Sequence, residues 1–365
     1  MVKIACTNCG EEYPAQGAPF RCSCGGMYDV MEFPSYNPPN VQVDGQPYNH
    51  LFDPGDDTKR ITLGEGSTPL LKTIFDDGEL YLKMENQNPT GSYKDRGSAV
   101  LINFLRSRGV TFAVEDSSGN AGASFAGYCA RAGIQARVYV PEAASGIKCM
   151  QIEAYGAELV RVPGPRSEAA KAVLAAAETG SVYASHAWMP FGLIGIAAIA
   201  YEIIEQLGSV PGSVIAPVGH GGLLYGIMRG FESMFQAGAI QQEPQYIGVQ
   251  AANCAPLVDA YKRGSVETVE PSIRETVAEG VKVTKPARGK AILQRMLKGK
   301  GRMIAIDETD LLQAYWESAG KGFFMEPTSA LVWAAVKTGL KDFKTPVVAV
   351  ITGSGYKSSI QKSKE

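Results

Sequence analysis

The sequence predicts an α/β fold with a mostly parallel sheet, and three observations carry that expectation. Short apolar, β-branched runs alternate with helical stretches of about 10–15 residues, the pattern of βαβ units. Runs such as Val347–Ile351 (VVAVI) are apolar at every position, as strands covered on both faces are. Glycine-containing turns stand at strand-to-helix junctions, where open α/β sheets bind ligands. At 365 residues the chain can supply about two domains of ~150 residues and a large core.

Taken in order, residues 1–33 form a small cysteine module, and 34–60, rich in Pro, Asn, Asp and Gly, read as an extended connector on the main body. Leu80–Met84 is a short apolar strand, and Ser98–Arg108 is an amphipathic helix. Thr111–Glu115, Ala136–Val140 and Glu158–Val162 are strand-like, with helical stretches Asn120–Ala132 and Ile147–Tyr155 between them. Helix Leu193–Leu207, strand Ser213–Val218, helix Gly222–Phe235 and strand Gln245–Gln250 continue the alternation to the last strand, Val347–Ile351. Pro271–Lys300 is the most polar stretch of the body and reads as a surface excursion. There is no self-similarity at a period of about 20–50 residues, which argues against solenoids and propellers.

Apolar residues make up 45% of the chain and charged residues 20%, a composition that folds. Thirty-five Lys and Arg against 37 Asp and Glu leave a net charge of −2, which argues against a dedicated nucleic-acid or polybasic membrane binder. The N-terminus lacks the apolar segment of a secretory signal, and the most apolar run, Gly192–Tyr201, is about half of the ~20 residues that span a bilayer. Four of the seven cysteines crowd the first 24 residues, unlike a secreted disulfide framework. The expectation is a reduced, cytoplasmic protein. Glycine is in excess, 41 of 365 residues or about 11% against ~7% on average, with no collagen period.

Cys6-x2-Cys9 and Cys22-x-Cys24, each followed by glycine, bring two pairs of thiolates to two tight turns. Four soft ligands of this kind suit a closed, structural Zn2+ site, the alternative being free surface thiols. Cys129, Cys149 and Cys254 stand in apolar contexts and read as core residues.

Four glycine-bearing segments carry the chemistry. In KMENQNPTGSYKDRG (83–97), Lys94 opens a helix, where the positive end of the dipole prepares its amine for imine formation; a surface lysine is the alternative. DSSGNAGAS (116–124) offers backbone N–H groups to a carboxylate, with Asn120 able to reach a ligand hydroxyl. PVGHGGLLYG (217–226) can wrap a phosphate, although it is neither a Walker A loop nor G-x-G-x-x-G. ITGSGYK (351–357) closes the last strand with Thr352 and Ser354. A lysine, a phosphate cradle and polar groups around a ring fit pyridoxal phosphate.

These segments, together with GEGSTPL (64–70) and EPTSA (326–330), resemble the fold-type II family of pyridoxal-phosphate enzymes, and most closely the threonine synthases, over residues 60 to 358. The resemblance implies two doubly wound parallel-sheet domains of the tryptophan synthase β-like kind. The large cofactor-binding domain would take residues 61–97 and 194–365, and the small one 98–193. It implies that Lys94 holds the cofactor as a Schiff base and shuttles protons. Asn120 would bond the cofactor's 3′-oxygen, and Ser117, Ser118 and Gly119 with Asn120 would take the substrate α-carboxylate. Gly219, His220, Gly221, Gly222 and Leu223 would cradle the cofactor phosphate, and Thr352 would face the pyridine nitrogen. The implied reaction is elimination or replacement at the β or γ carbon of an amino acid by a homodimeric enzyme: O-phospho-L-homoserine plus water to L-threonine plus phosphate. The chain departs from the family in Phe191–Ala200, where charges that bind the substrate phosphate are usual and none stands here. Lys72, Lys148 and Arg166 are candidate substitutes. The uncharged stretch keeps open a serine/threonine dehydratase or a β-replacement enzyme of the cysteine or cysteate synthase kind.

Overall fold

A computed structural model describes residues 2–33, 60–75 and 78–358, and most of the 34–60 connector lies outside the described residues. The cysteine module is an antiparallel pair, β1 (Lys3–Cys6) and β2 (Tyr28–Glu32). Strands β3 (Leu70–Phe75) and β4 (Gly78–Lys83) pair antiparallel at the edge of the larger sheet, and α1 (Lys94–Ser107) follows. The chain then builds a second sheet from β5 (Phe112–Glu115), α2 (Asn120–Ala132), β6 (Gln135–Pro141), α3 (Ile147–Ala154), β7 (Glu158–Val162), α4 (Arg166–Glu178) and β8 (Val182–Tyr183). Its four strands are all parallel, in the order β7-β6-β5-β8.

Helix α5 (Gly192–Leu207) carries the chain back, and β9 (Ser213–Pro217), α6 (Gly222–Gln236), β10 (Gln245–Ala251), α7 (Pro256–Lys262) and α8 (Gly289–Arg295) follow. The last elements are β11 (Gly301–Ile306), α9 (Glu308–Gly320), α10 (Pro327–Gly339) and β12 (Val347–Val350). The larger sheet runs β11-β10-β9-β12-β4-β3, parallel except for β3. Strands β9 and β12 are buried at every residue, as the all-apolar runs predict. Cys129, Cys149 and Cys254 lie in the interior, as read from their apolar contexts. The sequence pattern does not announce β3, whose residues are mostly exposed or half-buried at a sheet edge, or the two-residue β8.

Pro271–Lys300 differs from the surface excursion expected of it. Thr276, Ala278, Val281 and Arg288 are buried, and α8 buries Ile292 and Leu293. Polar residues dominate the composition of this stretch, but a few apolar anchors and one buried guanidinium bind it to the body. Arg288 donates to the carbonyls of Tyr28 and Trp188 and lies 3.4 Å from Asp29, so this segment also seats the cysteine module.

Four buried charges tie the end of β4 to α1 and α5. Arg96, in the first turn of α1, donates to Glu85 and to Glu202 of α5, and Lys83 at the end of β4 reaches Glu202 at 2.6 Å. Burial alone would raise the Glu202 carboxyl, but Arg96 and Lys83 override it and lower it to about 2. The helices approach closely enough for this only because position 195 is glycine: a Cβ there would lie 1.9 Å from the carbonyl oxygen of Arg96. Breaking a buried pair leaves an uncompensated charge, so Glu202→Gln should destabilise the fold by about 3–5 kcal/mol. A lowered urea midpoint at neutral pH checks this. Since the folded carboxyl titrates below its ordinary 4.5, the contribution is complete above that pH and disappears as pH falls toward 2.

Candidate active site

One cavity lies between the C-terminal ends of the strands of both sheets, the place where open α/β folds bind ligands. Lys94, Ser117, Ser118, Gly119, Asn120, Gly219, His220, Gly221, Gly222, Leu223 and Thr352 all line it. Sequence segments more than 250 residues apart therefore converge on one site.

Lys94 is the first residue of α1, its Nζ 4.9 Å from the Tyr93 ring centroid. Its neighbour Asp95 is buried and accepts from the Thr90 backbone and hydroxyl and from Ser124, which ties the lysine turn to α2. Burial raises the Asp95 carboxyl to about 6 against those hydrogen bonds. The 117–120 turn is equally constrained: a Cβ at Gly122 would lie 1.9 Å from the Ser117 carbonyl oxygen, so only glycine lets α2 begin there. The backbone N–H of Ser117 donates to Glu115.

Gly221 caps α6 with φ 94°, and a Cβ there would strike Ile292 at 2.6 Å. The backbone N–H of Arg288 donates to the carbonyl of His220, bracing the loop from outside. By contrast, Gly222, the first residue of α6, lines the cavity, and a Cβ there would meet nothing within 4 Å, so the helix N-terminus is unobstructed at that point. Two buried polar atoms on the cavity wall, Asn120 Oδ1 and His220 Nδ1, have no partner among the described residues. A helix N-terminus open to an anion, a lysine, and polar atoms awaiting a ligand fit the chemistry of pyridoxal phosphate.

Sequence reasoning did not place Glu115, His186 or Glu326 as single residues in the site, yet all three line it. Glu326 accepts from Asn120 Nδ2 at 2.7 Å and from the Thr352 hydroxyl at 3.0 Å, and Lys148 Nζ lies 3.7 Å away. A carboxylate thus stands beside the neutral hydroxyl of Thr352. Of the three candidate cations, Lys148 and Arg166 line the cavity, whereas Lys72 pairs with Glu79 on the exposed β3–β4 edge. Glu115 and His186 were legible only as an acid ending an apolar strand and as one of three histidines in the chain.

Away from the cavity, Cys6, Cys9, Cys22 and Cys24 come together with their sulfurs all within 4.8 Å of one another. Cys6–Cys24 and Cys9–Cys22 are 3.5 and 3.6 Å apart. Four thiolates at Zn–S distances of ~2.3 Å on a tetrahedron would sit about 3.8 Å apart, so the donor set fits zinc.

The family model described as pyridoxal-phosphate dependent enzyme matches residues 61–353. The chain is 31% identical to the threonine synthase of Methanocaldococcus jannaschii, over 99% of this chain and 95% of that protein. It is also 31% identical to the threonine synthase of Mycobacterium tuberculosis, over 85% and 87%. Among solved structures it resembles the threonine deaminase of T.th. at 26% identity and a TM-score of 0.67, over 81% of this chain and 94% of that one. With the lysine, the glycine loops and the anion-ready helix start facing one cavity, the chain belongs to the pyridoxal-phosphate dependent enzyme family.

Proposed function

We propose that this protein is a carbon–oxygen lyase of the threonine-synthase kind, converting O-phospho-L-homoserine and water to L-threonine and phosphate. The observation that carries the reading is the presence of Lys148 and Arg166 on the wall of the Lys94 cavity, in a chain that matches threonine synthases almost end to end. An anionic substrate tail needs cationic partners, and these two stand in for the charges missing from Phe191–Ala200.

The cofactor, when bound, supplies an electron sink at the substrate's α carbon. Lys94 would hold it and carry the α proton. Gly219, His220, Gly221, Gly222 and Leu223 would hold its phosphate at the start of α6, and Asn120 its 3′-oxygen. Thr352, with Glu326 beside it, would meet its ring nitrogen. Ser117, Ser118 and Gly119, with Asn120, would take the substrate carboxylate at the start of α2. Cys6, Cys9, Cys22 and Cys24 would hold a structural zinc. In this reading 98–193 is the smaller partner of a larger domain made of 61–97 and 194–365, and the enzyme works as a cytoplasmic homodimer.

A second reading rests on the apolar part of the cavity lining. Leu101, Ile102, Met189 and Ile196, where α1 meets α5, present an uncharged surface suited to a short side chain. That surface favours a serine/threonine dehydratase or a β-replacement enzyme.

Phosphate release from O-phospho-L-homoserine, with threonine as the other product, is the expected result. Keto-acid formation from serine or threonine, or phosphate release only from O-phosphoserine with sulfide or sulfite, would install the second reading instead. The holoenzyme should show an absorbance band near about 410 nm that Lys94→Ala removes. Metal analysis should find one zinc per chain, lost in Cys9→Ser; protein purified without zinc would end that part of the proposal.

A further inference from the structure

None of the roles above uses the Glu115–His186 pair. Glu115 ends β5 and is fully buried, with its Oε1 2.5 Å from Nδ1 of His186 and its other oxygen accepting from the Ser117 backbone. His186 follows β8, the strand paired with β5, so the pair bridges adjacent strand ends. Its side chain is 22% exposed, and both residues line the cavity that contains Lys94. With Nδ1 committed to the carboxylate, Nε2 is the nitrogen left for the cavity. An imidazole oriented in this way by a carboxylate is the arrangement of a general base.

We infer that His186, oriented by Glu115, is the base that takes the proton from the water adding to the substrate's β carbon. This assignment rests on the threonine-synthase reading and deepens it. In the step, one O–H bond of water breaks and its oxygen bonds to the β carbon. The electron pair of the attacked carbon–carbon double bond moves to the α carbon, which takes up the proton carried by Lys94. The water's proton goes to Nε2 of His186 and later leaves to solvent. Nδ1–H stays donated to Glu115 throughout, which stabilises the imidazolium as it forms.

The surroundings set the resting state. Lys94 from α1, Arg166 from α4 and Asp116, the residue after Glu115, act on His186, and Asp116 accepts from the Tyr183 hydroxyl of β8 at 2.7 Å. The His220 ring, from the loop after β9, lies 5.9 Å away. Burial, reinforced by the Lys94 and Arg166 charges, holds the His186 imidazole well below its ordinary range and keeps it unprotonated. Burial raises Glu115 to about 7, so the carboxylate that orients the base forms as pH rises through that value.

The chain contains three histidines, His50, His186 and His220, so 15N-histidine NMR of the protein without cofactor resolves the pair directly. His186, identified by its loss in His186→Asn, should show a protonated Nδ1 and a bare Nε2 above about pH 7, changing as Glu115 takes its proton below it. A bare Nδ1 above that pH overturns the assignment. In turnover, His186→Asn and His186→Gln should keep the cofactor band and a KM within about threefold, while kcat falls ~10²–10⁴-fold. Glu115→Gln should lose less and abolish the acid limb of the pH profile near about 7. Wild-type turnover of O-phospho-L-homoserine beside equally active His186 variants defeats this role alone. A wild type that releases no phosphate from that substrate defeats the functional reading, and this role with it.

Discussion

The buried charges of Lys83, Glu85, Arg96 and Glu202 govern the geometry of the whole site, because they sit at the junctions of separate elements. Lys83 ends β4, Glu85 opens the turn after it, Arg96 lies in the first turn of α1, and Glu202 faces it from α5. Removing four charges from water costs several kcal/mol per ion, and only near-ideal pairing offsets that cost. The guanidinium forks between two carboxylates at 2.6–2.7 Å, and Thr68 and Gln206 take up remaining bonds. Arg96 is two residues from Lys94. The start of the α1 helix therefore cannot slide or tilt without unpairing a buried charge, and rigidity at one point becomes rigidity at the Lys94 side chain in the cavity wall.

A second constraint comes from the parallel strands. In the smaller sheet every strand leads into the cavity at its C-terminal end, with Glu115 from β5, Lys148 after β6, Arg166 after β7 and His186 after β8 among the residues delivered. The larger sheet contributes the 219–223 loop after β9 and Thr352 after β12 in the same way. Parallel pairing points all these ends one way, so a site assembled from distant segments needs no long excursions. The cysteine module joins this arrangement from outside. Asp29 of β2 accepts from the Tyr225 hydroxyl and faces Arg288, whose backbone braces His220. One segment thus touches both the module and the loop proposed to take phosphate.

Much of this was legible in the sequence because it follows local rules. All-apolar strands, helices between them, glycines at strand-to-helix turns and a lysine opening a helix each leave a pattern within about ten residues. The residues that stayed hidden depend on distant partners. Lys72, Lys148 and Arg166 are equivalent as cations in the sequence, but β3 holds Lys72 at a solvent edge against Glu79 while the starts of α3 and α4 bring the other two to the cavity. Glu202 ends an apolar run in the sequence, and its partners lie more than 100 residues away. Pro271–Lys300 looked external because composition averages over a segment, whereas burial is decided residue by residue.

By itself the sequence determined the fold class, the lysine that opens α1, the glycine loops and the cysteine cluster, since each depends on backbone conformation or on spacing along the chain. The glycine excess already indicated backbone approaching something closely, and Gly122 and Gly195 now locate two such approaches, each with room for nothing larger. Tertiary structure alone decided which charges meet: the Glu115–His186 pair, the two cations in the cavity wall and the four-charge cluster behind the lysine. Charges separated by tens of residues carry no mutual signal along a chain. Their pairing exists only once packing has excluded the water that would otherwise screen them.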